Sequence, residues 1–142
     1  MTRFDLRVMG LLLRQGRRLH GASMGLAALA VAWLVLQALT SGPDAAVAAL
    51  LAASLLAAGA QFYCAVRTDF DADLFVALSD CHESDAAGTL DASLQALGLR
   101  PGEAVPRDWP ERWRGARAWM RRQGTLLALQ ALLLATAWLV AT

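Results

Sequence analysis

Alternating aspartates supply the first residues of this chain that could do chemistry. Asp69, Asp71 and Asp73 are spaced like the first ligands of a calcium loop. An EF-hand also needs glycine at the sixth loop position and glutamate at the twelfth, where this chain has Leu74 and Asp80. A solvated helix face is therefore the better interpretation of the aspartates, and the sequence predicts no metal ion and no other cofactor.

Cys81, His82 and Glu83 place three reactive side-chain types in consecutive positions. Zinc sites usually use two closely spaced pairs of ligands, and the sequence has no second such pair. Neighbouring positions also do not bring a cysteine and a histidine together as a nucleophile and its base. Glycine-rich phosphate loops, hydrolase elbows and zincin motifs are absent from the sequence. The chain therefore reads as non-catalytic, with a membrane-bound enzyme acting on lipid through the aspartates and His82 as an alternative.

A cluster of tryptophan and arginine is the most distinctive feature of the sequence. Trp109 and Trp113 recur at helical spacing, and Arg114, Arg117 and Arg121 form a second stripe. Both residue types are enriched at protein-binding hot spots and also at the level of lipid headgroups. The two tryptophans lie about 15 Å from the nearest predicted span at about 1.5 Å per residue, which favours a partner contact or tertiary packing. We predict that these five residues bind a partner, and the net charge of +1 argues against nucleic acid.

Three long stretches without a charged side chain must position these clusters. The chain is 57% hydrophobic, against about 45–50% in ordinary soluble domains. A bilayer core of about 30 Å requires about 20 apolar residues in a helix, which satisfies its own backbone hydrogen bonds. We therefore predict an all-α integral membrane protein with three transmembrane helices, at residues 21–39, 45–66 and 125–141.

All thirteen basic residues are arginines, and all lie on one side of these stretches. Five precede the first span, and the others are Arg67 and the seven from Arg100 to Arg122, between the second and third spans. Short arginine-rich loops stay in the cytoplasm. We predict a cytoplasmic N-terminus and a periplasmic C-terminus in a bacterial inner membrane, because arginine without lysine beside abundant alanine is associated with GC-rich bacterial genomes.

The predicted organisation has four parts. Residues 1–20 form an N-terminal amphipathic helix at the cytosolic face of the membrane, and residues 21–66 form a transmembrane helical hairpin. Residues 67–122 form a cytosolic helical segment, whose first half is acidic and whose second half is rich in arginine and tryptophan. Residues 123–142 form the third transmembrane helix. The hairpin turns at Gly42-Pro43, because both residue types favour turns.

The amphipathic pattern of the N-terminal helix predicts which of its faces is apolar. Arginines recur on one side, and the predicted apolar face consists of Phe4, Val8, Leu11 and Leu12. Such a helix would lie in the membrane interface with its arginines near anionic headgroups. Docking onto a partner protein is the alternative for this helix.

The cytosolic segment is predicted to fold by pairing its acidic and basic halves. The helix that continues from the second span is acidic, and a helix from Trp109 runs unbroken into the third span after a start at Asp108 and Glu111. We expect the two to pack antiparallel with complementary charges. A short helix starting at Thr89 and ended by Gly98 would cover them with its leucines, Leu90, Leu94 and Leu97.

Uncharged polar and small residues within the spans predict contacts between helices. The polar candidates for interhelical hydrogen bonds are Gln37, Gln61, Gln130 and Thr136. Gly21 and Gly25 have the spacing of a small-residue packing motif, which we expect to act within the protein, with packing against another membrane subunit as the alternative. Together with the lack of charge in the spans, these features favour a non-enzymatic subunit or adaptor of a larger membrane assembly. Its predicted partners are membrane lipids and another membrane or cytosolic protein. A holin-like pore-forming oligomer is an alternative.

Overall fold

Helices make up all the regular structure in the described part of the chain. The computed structural model describes residues 3–40, 42, 44–80, 86–98 and 109–142. The helices are α1 (Arg3–Arg14), α2 (Gly16–Thr40), α3 (Ala45–Asp80), α4 (Ala86–Ala96) and α5 (Trp109–Ala141). Three helical stretches, containing α2, α3 and α5, are long and apolar enough to cross a membrane. The prediction of an all-α, three-span protein is confirmed.

Gly42 and Asp44, the described residues between α2 and α3, make hydrogen bonds with the ends of these helices. Gly42 adopts a positive φ of 77°, and its N–H donates to the carbonyl of Gln37 at 3.0 Å. Asp44 then caps α3, because its Oδ1 accepts hydrogen bonds from the N–H groups of Ala46 at 2.8 Å and Val47 at 3.1 Å. A cap of this kind contributes about 1 kcal/mol to helix stability.

An interior stripe on α3 organises the bundle. Its buried residues alternate in steps of four and three, and they are Val47, Leu51, Ser54, Ala58, Gln61, Ala65, Thr68, Ala72, Phe75 and Ser79. The buried positions of the flanking helices recur every seven residues, at Gly16, Ser23 and Ala30 in α2 and at Ala116, Gln123, Gln130 and Ala137 in α5. This spacing produces knobs-into-holes packing with a small crossing angle.

Helix α3 runs antiparallel to α5, as predicted. Tyr63 contacts Trp119 with ring centroids 5.8 Å apart, and Phe75, farther along α3, contacts Trp109 at 6.2 Å, near the start of α5. Helices α1 and α2 lie beside α3 and run in the same direction as α5. They are joined by one turn at Gln15, whose N–H donates to the carbonyl of Leu12 at 3.2 Å.

Helix α3 is longer than a bilayer is thick. Its 36 residues extend about 54 Å, against a hydrocarbon core of about 30 Å. We call the part that exceeds the spans the charged half, which consists of α1, residues 67–80 of α3, α4 and residues 109–122 of α5. Helix α2, residues 45–66 of α3 and residues 123–141 of α5 form the apolar half. Each half has its own cluster of buried apolar side chains.

Helix α1 packs lengthwise on α3 through a face that the sequence analysis did not identify. Leu6 and Leu13, seven residues apart, are buried in the core of the charged half. The predicted apolar face points the other way: Phe4 is 74% exposed and Leu11 is 53% exposed. The exposed position of Phe4 and Leu11 agrees with the predicted apolar face, and its contact with the membrane interface or with a partner stays a prediction. The inner face was not predicted, because Gly10 interrupts its apolar stripe.

Helix α4 covers the core of the charged half, although with fewer leucines than predicted. Leu90 is buried and Leu94 is partly buried against the same core, whereas Leu97 is 71% exposed. Leu97 falls in the turn after the helix, where Gly98 has a positive φ of 68°. The predicted end at Gly98 is therefore confirmed, and the predicted coverage by Leu97 is wrong.

The two glycines of the predicted packing motif face away from the other helices. A Cβ atom at Gly21 or Gly25 would find nothing within 4 Å in the described structure. Their predicted role in packing within the protein is therefore wrong. The close approach is instead at Gly10, where a Cβ would lie 2.6 Å from Val76 Cγ2 and 3.0 Å from the carbonyl oxygen of Ala72.

Some predictions concern residues outside the described part of the chain. Cys81, His82 and Glu83 lie there, as does the predicted helix start at Asp108. Glu111, the other half of that start signal, lies in the first turn of α5.

Replacing Gly10 with alanine tests the contact between α1 and α3. The added methyl group would overlap Val76 and Ala72, so we expect the free energy of unfolding to fall by about 1–3 kcal/mol. Unfolding in mild detergent, followed by tryptophan fluorescence, measures this loss. Gly25→Ala is the matched control at an open position, where we expect no loss and a gain of up to about 1 kcal/mol from helix propensity. Equal effects of the two substitutions would contradict the packing of α1.

Candidate functional site

The outer aspartates of the alternating series form ion pairs with the N-terminal helices. Arg17 Nε donates to both carboxylate oxygens of Asp69 at 3.1 Å, and Arg14 Nη2 donates to Asp73 Oδ1 at 3.0 Å. The sequence analysis expected the acidic helix to pair with the basic part of α5, and that expectation is wrong for these two residues. Exposed pairs contribute about 0–1 kcal/mol each, so they orient the end of α1 and the start of α2 more than they stabilise them.

Asp71 points in a different direction from its two neighbours. Asp69 and Asp73 are four residues apart and share a helix face, whereas Asp71, two residues from each, lies on the opposite side. It lines a cavity between α3, α4 and α5. Burial there raises the pKa of the Asp71 carboxyl, and the nearby Arg67 acts in the opposite direction. Because the three carboxylates do not converge, they cannot form one cation site. Among the residues that the structure describes, no group of three His, Cys, Asp or Glu side chains could hold a metal ion.

The cavity beside Asp71 is a groove of about 510 Å³. Its walls are mainly apolar and come from three helices: Leu74 and Leu78 of α3, Leu90 and Leu94 of α4, and Ala116 of α5. Helix α4 covers the groove because its leucines recur at four-residue spacing, which places them on one face. The volume falls within the range of about 300–1,000 Å³ typical of small-molecule sites.

Aromatic residues line the end of the groove nearest the spans. Tyr63 and Trp119 meet edge to face there, and Val66 lies beside them at the end of the uncharged stretch of α3. The guanidinium of Arg122 stacks on the Trp119 ring, 4.6 Å from its centroid. Arg67 also lines this end and is exposed. We call this region the mouth of the groove.

An ion pair that involves Arg112, a lining residue of the groove, joins α4 to α5. Arg112 donates from Nη2 to Asp91 Oδ1, and both side chains are largely buried. The same guanidinium lies 5.9 Å from the centroid of the Trp109 ring. This pair fixes α4 over the groove, and Glu111 adds a second carboxylate to the lining.

The structure separates the five predicted partner-binding residues into two groups. Trp109 and Trp113 are partly buried and pack against Phe75, with ring centroids 6.2 Å and 6.3 Å away. Their aromatic rings therefore serve the core of the charged half. The arginines of the set, Arg114, Arg117 and Arg121, are exposed along the outer side of α5, and the Arg117 guanidinium lies 5.9 Å from the Trp113 ring centroid. Binding of a partner by these residues stays a prediction.

Buried glutamines connect the spans in the apolar half. Ser23 Oγ donates to Gln130 Oε1 at 2.7 Å, and Gln130 Nε2 donates to the carbonyl of Ser23 at 3.0 Å. His20 Nδ1 and Gln61 Oε1 lie 3.3 Å apart, within hydrogen-bond distance. The predicted interhelical roles of Gln61 and Gln130 are confirmed.

Two other predicted polar contacts do not join helices. Thr136 Oγ1 donates to the carbonyl of Leu132 in its own helix at 2.9 Å, and Gln37 Oε1 has no hydrogen-bond partner among the described residues. The sequence analysis also missed Gln123, which is fully buried beside Gly16. A Cβ at Gly16 would come within 3.0 Å of Gln123 Oε1, so the glycine makes room for the amide.

The groove was not foreseen from the sequence. Its clearest sequence signal is Gly115, which lines the groove and leaves open space where any other residue would project a side chain. Comparison of the chain with protein-family models, with curated proteins and with solved structures found no match.

The raised pKa of Asp71 predicts how stability depends on pH. Its pKa is higher in the folded than in the unfolded chain, so the ionised carboxylate opposes folding once the pH exceeds the folded value. We expect Asp71→Asn to raise the thermal midpoint in detergent at pH 7. The gain should shrink as the pH falls toward about 4, the ordinary pKa of the carboxyl, where the wild-type side chain is also neutral.

Asp73→Asn is the matched control for this prediction. It removes an exposed ion pair with Arg14, so we expect a loss of at most about 1 kcal/mol and no gain at any pH. A stabilising effect of equal size from both substitutions would show that burial in the groove is not the cause.

Proposed function

We propose that this protein is a small non-enzymatic subunit or adaptor of a larger bacterial inner-membrane assembly. Its spans anchor it beside other membrane components, and its charged half contacts a partner protein in the cytosol. The proposal is supported mainly by the outer face of α1, where Phe4, Leu11 and Leu12 are exposed. The inner face of the same helix is already packed on α3, so these side chains have no role in the core.

The position of this face favours a protein partner over lipid. Phe4 precedes His20, which lies next to the first span, by 16 residues, or about 24 Å of helix. The headgroup layer on each side of a bilayer is only about 5–8 Å thick. Phe4 therefore lies beyond the depth at which lipid could cover it. Phe4 and Leu11 share one face of α1, and a contiguous apolar patch in water marks an interaction site.

The exposed arginines in and next to the charged half indicate what kind of partner would fit. Arg7 and Arg18 are exposed on α1 and α2, and Arg114, Arg117 and Arg121 are exposed on α5. A partner surface that combines apolar and acidic side chains would match both features. The predicted partner-binding arginines thus belong to this proposal directly, whereas Trp109 and Trp113 contribute by holding α5 against Phe75.

The orientation in the membrane is part of the same proposal. Arginine-rich segments stay in the cytoplasm, and the described arginines lie in or next to the charged half. The N-terminus and the segment between the second and third spans are then cytosolic, and the turn at Gly42 and the C-terminal end of α5 face the periplasm.

A photocrosslinking residue at position 4 tests for the partner. Incorporation of p-benzoylphenylalanine in place of Phe4, in growing cells, should yield a discrete crosslinked protein. Leu11→Gln in the same chain should reduce the crosslinked yield about tenfold, as loss of an apolar hot-spot residue does. Leu97→Gln is the matched control, because Leu97 is also an exposed leucine of the charged half but lies in the turn after α4, outside the α1 face. Adducts with lipid alone, or equal effects of the two glutamine substitutions, would contradict the proposal.

Labelling of single cysteines tests the orientation. In a variant with Cys64→Ala and Cys81→Ala, a cysteine at exposed Ala45 should react with a membrane-impermeant maleimide after the outer membrane is permeabilised. A cysteine at exposed Gln95 should react only after the inner membrane is also opened. The reverse pattern would overturn the orientation without affecting the three-span fold.

A further inference from the structure

We propose that the groove binds a membrane phospholipid, with one acyl chain inserted between α3, α4 and α5 and the phosphate at the mouth near Arg67 and Arg122. The inference goes beyond the proposed adaptor function and does not depend on a protein partner. It depends on the position of the mouth, on the apolar interior and on the distribution of charge along the groove.

The mouth lies where the bilayer ends. Tyr63 and Val66 are exposed on the last turn of the uncharged stretch of α3, so lipid is their immediate neighbour. From there the groove continues along α3 to Leu78, a distance of 15 residues or about 22 Å. A chain can therefore pass from the hydrocarbon layer into the groove without crossing open water.

The interior of the groove suits a flexible apolar chain. Leu74, Leu78, Leu90 and Leu94 form its walls, and Gly115 leaves one side open. A methylene gains about 0.8 kcal/mol on leaving water, and a lipid chain in the groove would also cover the exposed parts of Leu74 and Leu94, which are only partly buried.

The charges favour a lipid over a soluble anion. Inside the groove, Asp71 and Glu111 contribute carboxylates, and the guanidinium of Arg112 pairs with Asp91. The arginines at the mouth are instead exposed: Arg67 lines it, and Arg122 stacks on Trp119. A free phosphate entering the groove would meet carboxylates, whereas a phospholipid leaves its phosphate at the mouth. Tryptophan and arginine are also the residues that usually contact headgroups.

Photolabelling from the end of an acyl chain tests the proposal. The full chain would be reconstituted in vesicles of phosphatidylglycerol and phosphatidylethanolamine containing phosphatidylglycerol with a diazirine at the end of one acyl chain. After irradiation, we expect adducts on α4 near Leu90 and Leu94 in addition to adducts on the spans. Because α4 lies about 20 Å beyond the end of the second span, a chain that stays in the bilayer does not reach it. Adducts confined to the spans would overturn the proposal.

Filling the groove supplies the matched variants. Gly115→Leu projects a side chain into the groove, and we expect the labelling of α4 to fall about tenfold because several methylenes of the lipid lose their contacts. Gly124→Leu is the control, because Gly124 is equally open on the same helix but does not line the groove. Labelling of the span residue Leu132 should be unchanged in both variants, which verifies insertion. Undiminished labelling of α4 in Gly115→Leu would refute binding in the groove.

The phosphate contact has a separate test. The double variant Arg67→Gln and Arg122→Gln should lower the labelling of α4, by about fivefold for each arginine at the membrane surface. Arg18→Gln is the control for a general loss of surface charge, because Arg18 is exposed on α2 and does not line the groove. An unchanged yield in the double variant would overturn the assignment of the phosphate to the mouth.

Discussion

The rest of the structure depends on one continuous packing stripe along α3. It runs from Val47 in the apolar half to Ser79 in the charged half without a change in spacing. In lipid, apolar burial does not drive helices together, so close contact depends on small and polar side chains such as Ser54 and Gln61. Beyond the spans, burial of apolar surface supplies the driving force, and Phe75 occupies the same stripe. Helix α3 therefore uses the same packing geometry in the membrane-spanning part, which is surrounded by lipid, and in the charged half, which is surrounded by water.

The other elements follow from the length of that stripe. Because α3 extends beyond a bilayer, the apolar side chains in its last part would be exposed to water. Helices α1 and α4 and the first part of α5 pack against them. Asp69 then faces Arg17 at the start of α2, and Asp73 faces Arg14 at the end of α1. Asp71 faces the opposite flank, which is covered by α4 only in part, and the groove is the space that remains between these covers.

The elements that hydropathy and turn chemistry determine could be predicted from the sequence. The three spans, the continuous helix from Trp109 and the helix end at Gly98 all depend on local residue patterns. The inner face of α1 could not be predicted, because Leu6 and Phe4 belong to two competing apolar stripes. The partners of the aspartates could not be predicted either. Any of the thirteen arginines could pair with them, and an exposed pair contributes less than about 1 kcal/mol, which is too little to select one partner. The groove could not be predicted for a different reason. It is a space between helices that exists partly because Gly115 has no side chain, and sequence patterns indicate which surfaces pack together but not where a space remains between them.

The hydrogen bonds between Ser23 and Gln130 join the first span directly to the third. In a chain that is inserted as it is translated, the first two spans enter the membrane before the third. Ser23 is then in place before its partner Gln130 has been synthesised. When the third span inserts, Gln130 reaches the depth of Ser23, and the two hydrogen bonds can form. Until the third span has inserted, the chain lacks these two hydrogen bonds, and their formation fixes the first and third spans at matching depths in the bundle.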